Sequence, residues 1–109
     1  MNSKPVEVLN VVELDVEAAI AHYATYRSDA RSHFTGLLEE TLGWIEWNPD
    51  MFPRKYGSIH RAILKRSYFV VYYVQEKDLT LVLAVLDARD KPKRILELIQ
   101  GRQFRARKV

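Results

Sequence analysis

A chain of 109 residues, 48% hydrophobic and 28% charged, is one globular domain: too short for two cores and too apolar for a disordered segment. Cysteine is absent. That excludes disulfide scaffolds, thiol catalysis and cysteine-ligated zinc, and it suits a reducing cytoplasm. Neither a charged-then-apolar leader nor an apolar run of membrane-spanning length stands in the sequence, so a cytoplasmic protein with no membrane contact is expected.

The net charge of +3 is unevenly spread. Residues 1–47 hold three Lys/Arg against eight Asp/Glu, and residues 89–109 hold eight against two. A chain acidic in front and basic behind points to an anion-seeking surface at its C-terminal end. A solvated, frayed basic tail is the plainer explanation of charge alone.

In chain order, Val6–Val12 alternates loosely and reads as a first strand, joined to the sheet from outside. Asp15 is placed to cap a helix whose apolar face carries Val16, Ile20 and Tyr23, with Ala19 and Ala24 beside them. Ser28 or Asp29 reads as a second cap. The helix that follows sets Phe34, Leu37, Leu38, Leu42 and Ile45 on one stripe and ends near Asn48-Pro49. So short a connection makes the two helices an antiparallel hairpin. Gly36 and Gly43 stand seven residues apart on one side of the second helix, either as positions of close approach to the hairpin partner or the sheet, or as tolerated glycines. Trp44 and Trp47 cannot both be buried along with the leucine stripe, so one of them is expected in a partly exposed patch.

Asn48–Gly57 reads as a loop from its two prolines and terminal glycine. Three strand-like runs follow, Ser58–Arg66, Tyr68–Gln75 and Leu79–Asp87, with linkers too short for a crossover. They therefore form an antiparallel meander. Leu79–Asp87 lacks polar alternation and is expected to lie buried on both faces in the middle of the sheet. Pro92 suits the first position of a short helix over Lys93–Gln100, closed by Gly101. Arg102–Val109 reads as a mobile basic tail. The sum is an α+β domain of order β-α-α-β-β-β with an antiparallel sheet, a helical hairpin on one face and a short C-terminal helix.

Arg61, Arg66 and Arg89 fall on or beside the meander strands, where a cluster of them would hold a phosphate. They would serve equally as partners for carboxylates such as Asp87. As an imidazole His60 is a candidate base, but a lone histidine on a strand reads first as a polar surface residue. Tyr68 and Tyr72 share one strand face and Tyr73 takes the other, as core packing first and base-stacking platform second. His22 and His33 have no metal-ligand spacing, and no phosphate-binding glycine loop or Ser/His/Asp set is present.

Several stretches resemble the RelE/ParE superfamily of toxins from type II toxin–antitoxin modules, often called plasmid stabilisation proteins. They are Ala19-x-x-x-Tyr23, then Asn48-Pro49-x-x-Phe52-Pro53, then Ile59-His60-Arg61-Ala62-x-Leu64-x-Arg66-Ser67-Tyr68-x-Val70-x-Tyr72, and last Leu83-Ala84-Val85-x-Asp87-x-Arg89-x-x-Pro92. The resemblance covers about residues 6–95. It implies a growth inhibitor with a cognate antitoxin partner and no cofactor or metal. Its target would be either DNA gyrase, which ParE-like members bind, or mRNA on the ribosome, which RelE-like members cut without metal. A nontoxic relative acting only as a binding protein is a third possibility.

Two departures bear on that choice. Asp87 stands where many relatives have histidine, and the tail offers Phe104 where ribonuclease members end in a catalytic tyrosine or histidine. Self-cleavage of RNA through its 2′-hydroxyl needs a base, an acid and cationic stabilisation. With the acid missing, the resemblance leans to the gyrase-binding side. The residues it would use to bind a target are Arg61, Arg66, Tyr68, Arg89, Lys93, Arg94, Arg102 and Arg105. For a ribonuclease, Arg61, Arg66, Arg89 and Asp87 are the catalytic candidates.

Overall fold

The computed structural model describes residues 3–107. The elements run β1 (Val6–Val8), α1 (Val12–Ala24), α2 (Ala30–Trp47), β2 (Arg54–Tyr56), β3 (Ile59–Ile63), β4 (Phe69–Gln75), β5 (Thr80–Asp87) and α3 (Pro92–Arg107). They build one five-stranded sheet in the order β1-β5-β4-β3-β2. The α+β reading and the antiparallel meander of the last three strands hold. The sheet itself is mixed, because β1 enters parallel to β5, with Val6 opposite Thr80 and Val8 opposite Val82. β4, not β5, is the middle strand, and it is buried along nearly its whole length.

Both faces of the sheet are covered, which is why its strands lack polar alternation. Over one face lie α1 and α2, whose Ala19, Ile20, Tyr23, Phe34 and Ile45 pack on Ala62, Leu64, Val71, Tyr73, Val82 and Val85. Over the other lies α3, whose Ile95 and Ile99 cover Ile59, Val70, Tyr72, Val74, Leu83 and Ala84. A register shift makes Tyr72 face Ala84 and Tyr73 face Val82, so Leu83 has no partner on β4. That bulge is what lets Leu83 and Ala84 serve the same face.

The first strand is shorter than its apolar run suggests. Val12 is buried beneath α1 as a helical residue, with its amide bonded to the Leu9 carbonyl. α1 thus starts three residues before Asp15, and Asp15 caps nothing. Its carboxylate accepts instead from the Val85 amide at 3.0 Å and from both terminal nitrogens of Arg102 at 2.6 and 2.9 Å. Asp29 does precede α2, but its carboxylate goes to Arg27 and not to the helix amides. The region read as a loop contains β2, a three-residue edge strand bearing Arg54 and Lys55, charges that discourage a further strand from adding there.

Neither Gly36 nor Gly43 is a close-approach position within the chain: both face open space, with nothing within 4 Å of where a Cβ would stand. Both tryptophans, and not only one, are half-exposed.

The largest difference is at the C-terminus. α3 does not stop at Gly101 but carries on to Arg107, and Arg102 is buried. The Arg102–Asp15 pair leaves each side chain only 7% exposed, and Arg102 Nη1 also donates to the Leu83 carbonyl at 3.0 Å. The reason is that β1 covers β5 only as far as Val82, leaving the outer edge of Leu83 and Val85 bare. Asp15 and Arg102 meet that backbone edge with an acceptor and a donor, as a neighbouring strand would. Of the expected tail, Lys108 and Val109 lie outside the described residues.

Candidate target-binding site

The tight connection between β3 and β4 sets one end of the sheet. The Ser67 hydroxyl donates to the Leu64 carbonyl at 3.0 Å and accepts from the Phe69 amide at 3.0 Å. The turn holds Arg66 in the left-handed region at φ 56°, where a non-glycine residue is strained. Lys65 and Arg66 both project into solvent from it.

Tyr68 follows, 61% exposed, and its carbonyl accepts from the Ala88 amide at 2.8 Å. This bond ties the β3–β4 turn to the segment leaving β5. There the Arg89 guanidinium lies 4.1 Å from the centre of the Tyr68 ring, close enough for cation–π attraction. The same guanidinium pairs with Asp87 through Nη2 at 2.7 Å and Nε at 3.1 Å, and the Arg89 amide adds a third bond to that carboxylate. The Arg89 bond holds the Asp87 carboxyl below its ordinary range, with some help from the field of His22.

Sequence reasoning missed the contribution of α1 to this end. His22 and Tyr26 are both exposed, with ring centres 5.8 Å apart, and His22 stands 5.8 Å from Phe69. The field of Tyr26 reaches Arg89 as that of His22 reaches Asp87. The available signal was the pair of polar aromatics in the last turn of α1 and just past its end, where the apolar stripe had already been filled.

Tyr68, Asp87 and Arg89 therefore come together, with Arg66 one turn residue away. Arg61 lies further along the sheet, on β3 opposite Tyr72 and half-buried. Tyr72, whose hydroxyl is pushed up to about 12 by burial, feels the opposing field of Arg61. Alternation puts Arg61, the exposed Ile63 and Tyr68 on the α3 side of the sheet. Lys93 and Arg94 occupy the first turn of α3, where Arg94 reaches Asp90 at 3.7 Å. Arg105 stands in the last turn. Arg102 does not belong to this surface, because Asp15 and the β5 edge consume it. Among the described residues, Arg61, Arg66, Lys93 and Arg105 form no ion pair.

His60 is not a surface residue. It is buried, stacked on Tyr73 with ring centres 4.9 Å apart and planes 11° from parallel. Its Nδ1 lies 2.7 Å from the Phe52 carbonyl, and the Tyr73 hydroxyl donates to the Pro49 carbonyl at 2.6 Å. His60 and Tyr73 thus fasten the Asn48–Pro53 segment to the sheet. No group of three or more potential metal ligands occurs among the described residues.

The chain matches the family described as the ParE toxin of the type II toxin–antitoxin system, parDE, over residues 6–92. It belongs to that family. The match ends at the first residue of α3, so it takes in the whole sheet and the strand-end site but not the helix behind them. A solved structure described as the chromosomal ParDE TA system from P. aeruginosa shares the fold with a TM-score of 0.68 at 12% identity. The alignment spans 80% of this chain and 98% of that one. No curated protein matches the chain in sequence. Among the described residues, no helix of this ParE-family chain is long and apolar enough to cross a membrane.

Proposed function

We propose that this ParE-family chain is the toxin of a type II module and arrests growth by binding a macromolecular target such as DNA gyrase, and that a cognate antitoxin neutralises it. The observation that carries the binding reading is the strand-end surface: exposed Tyr68 and Tyr26 about the Arg89 guanidinium, tyrosine and arginine being among the residue types that dominate protein-binding hot spots. The chemistry for cutting RNA is poorly supplied there. His60 is locked into the core, and Asp87 is bound at both oxygens by Arg89, which draws the cation away from a scissile phosphate.

One observation favours the ribonuclease reading, namely the exposed imidazole of His22 close enough to Asp87 to lower its pKa. Purified protein incubated with gyrase and supercoiled plasmid, and separately with programmed ribosomes, distinguishes the two. Inhibited supercoiling or trapped DNA breaks is the expected result. Cut mRNA on the ribosome with gyrase unaffected, and loss of cutting in His22→Ala, would replace the binding reading with the enzymatic one.

A further inference from the structure

One end of the molecule collects cations that nothing within the chain uses. The ends of β3, β4 and β5 meet there, since Ile63 lies opposite Val70 and Phe69 opposite Asp87, and the Ala88 amide bonds to the Tyr68 carbonyl across them. The β3–β4 turn brings Lys65 and Arg66 to that end, and the segment leaving β5 brings Lys91 and Lys93. All four are exposed, and none forms an ion pair among the described residues. The carboxylates beside them are already engaged, Asp87 by Arg89 and Asp90 by Arg94 and the Lys91 amide. Arg66 adds a second sign. Its left-handed position, φ 56°, is one that glycine would take at lower cost, so the turn bears strain at the residue that projects a cation.

Flat rings lie among these charges. Tyr68 is 61% exposed with the Arg89 guanidinium 4.1 Å from its ring centre, and Tyr26, 62% exposed, stands near enough for its field to reach Arg89. The α1–α2 layer, by contrast, exposes Glu13, Glu39, Glu40 and Glu46, so the molecule has one end that attracts anions and one layer that repels them. Unpaired cations around exposed rings suit a single nucleic-acid strand, whose phosphates follow the charges while its unpaired bases stack on the rings. We propose that the strand end binds a single strand of DNA directly. The inference deepens the reading above, on which the choice of DNA rests, by naming what this surface touches on a target that handles DNA.

The measurement is fluorescence anisotropy of the full-length chain with a labelled oligothymidylate of about 12 nucleotides, within the span of one such site. Binding should weaken as salt rises, with a log–log slope of about −3, because each phosphate met by one of the four free cations contributes about 0.7. Lys65→Ala with Lys93→Ala should flatten that slope by about 1.4. Tyr68→Ala should weaken binding about 10-fold through lost stacking. Tyr68→Phe keeps the ring and should bind as the wild-type chain does.

No binding by the wild-type chain at low salt overturns the proposal, as does an affinity unmoved by Tyr68→Ala or a slope unmoved by the double lysine variant. A matching oligouridylate held about 10-fold more tightly gives the site to RNA and overturns it likewise. Gyrase inhibited by a wild-type chain that binds no oligonucleotide sinks this inference alone. Oligonucleotide bound as expected with gyrase unaffected sinks the gyrase reading and leaves the strand site in place.

Discussion

Replacing Asp15 by alanine should be among the most damaging substitutions in this protein, although the residue is far from the strand-end site. In the folded chain its carboxylate holds both terminal nitrogens of Arg102 and the amide of Val85. With each side chain of the pair 7% exposed, removal leaves a guanidinium in the interior with only the Leu83 carbonyl. Breaking one side of such a buried pair costs about 3–5 kcal/mol, and the orphaned amide falls within the upper part of that range. Arg102 Nε is already buried without an acceptor among the described residues, so the guanidinium has no spare partner to turn to.

For a domain of this size, a loss of about 4 kcal/mol lowers Tm by roughly 15–30 °C. Urea unfolding followed by circular dichroism should show a lower midpoint with an unchanged slope. The double variant Asp15→Asn with Arg102→Met removes both charges and keeps an acceptor for Val85. It should recover most of the loss, as buried pairs replaced together usually do. A loss below about 1 kcal/mol in Asp15→Ala would mean that α3 does not hold Arg102 against the sheet, and that residues from Gly101 onward behave as a loose tail.

Tyr73→Phe should cost about 1–2 kcal/mol in urea unfolding, because the Pro49 carbonyl is then buried without a donor. Arg66→Asn, a residue that tolerates the left-handed region, should leave stability equal or higher while reducing growth arrest, which separates the turn's geometry from its charge. Arg89→Glu should reduce growth arrest under either mechanism by reversing charge at the strand end, whereas Asp87→Asn should be nearly neutral; plating after induction measures both. Asp87 has its pKa depressed by Arg89, so its stabilising contribution is complete above the ordinary carboxylate range and disappears as pH falls through the lowered value. Because the pair is partly exposed, Asp87→Asn should cost less than about 1 kcal/mol at neutral pH and nothing at strongly acid pH.

Most of the architecture was legible in the sequence, since hydrophobic period and linker length are local signals. The hairpin stripe of Phe34 and Ile45, the stop at Asn48-Pro49 and the three meander strands all follow from neighbours along the chain. What escaped depends on contacts far apart in sequence. Asp15 has the chemistry of a cap, and only the position of Arg102, 87 residues on, shows that the β5 edge takes its carboxylate. His60 sits on an alternating strand, but its burial depends on Tyr73 across the sheet and on the Phe52 carbonyl. β2 was hidden by prolines and charges because an edge strand of three residues has no apolar signature. At the strand end, the pairing of Arg89 with Asp87 was legible from their chemistry, whereas His22 and Tyr26 join them only when α1 packs over the sheet.

The Asp15–Arg102 clasp also bears on the order in which this fold can close. A contact between residues 87 apart cannot form until Arg102 itself has been synthesised, and domains grow from the N-terminus as they emerge. Until α3 arrives, β5 has a bare edge and one sheet face is open to water, so the nascent chain has an unprotected strand and an uncovered apolar surface. A chain cut short before Arg102 therefore keeps the outer edge of Leu83 and Val85 bare, a place where a strand from another chain can add.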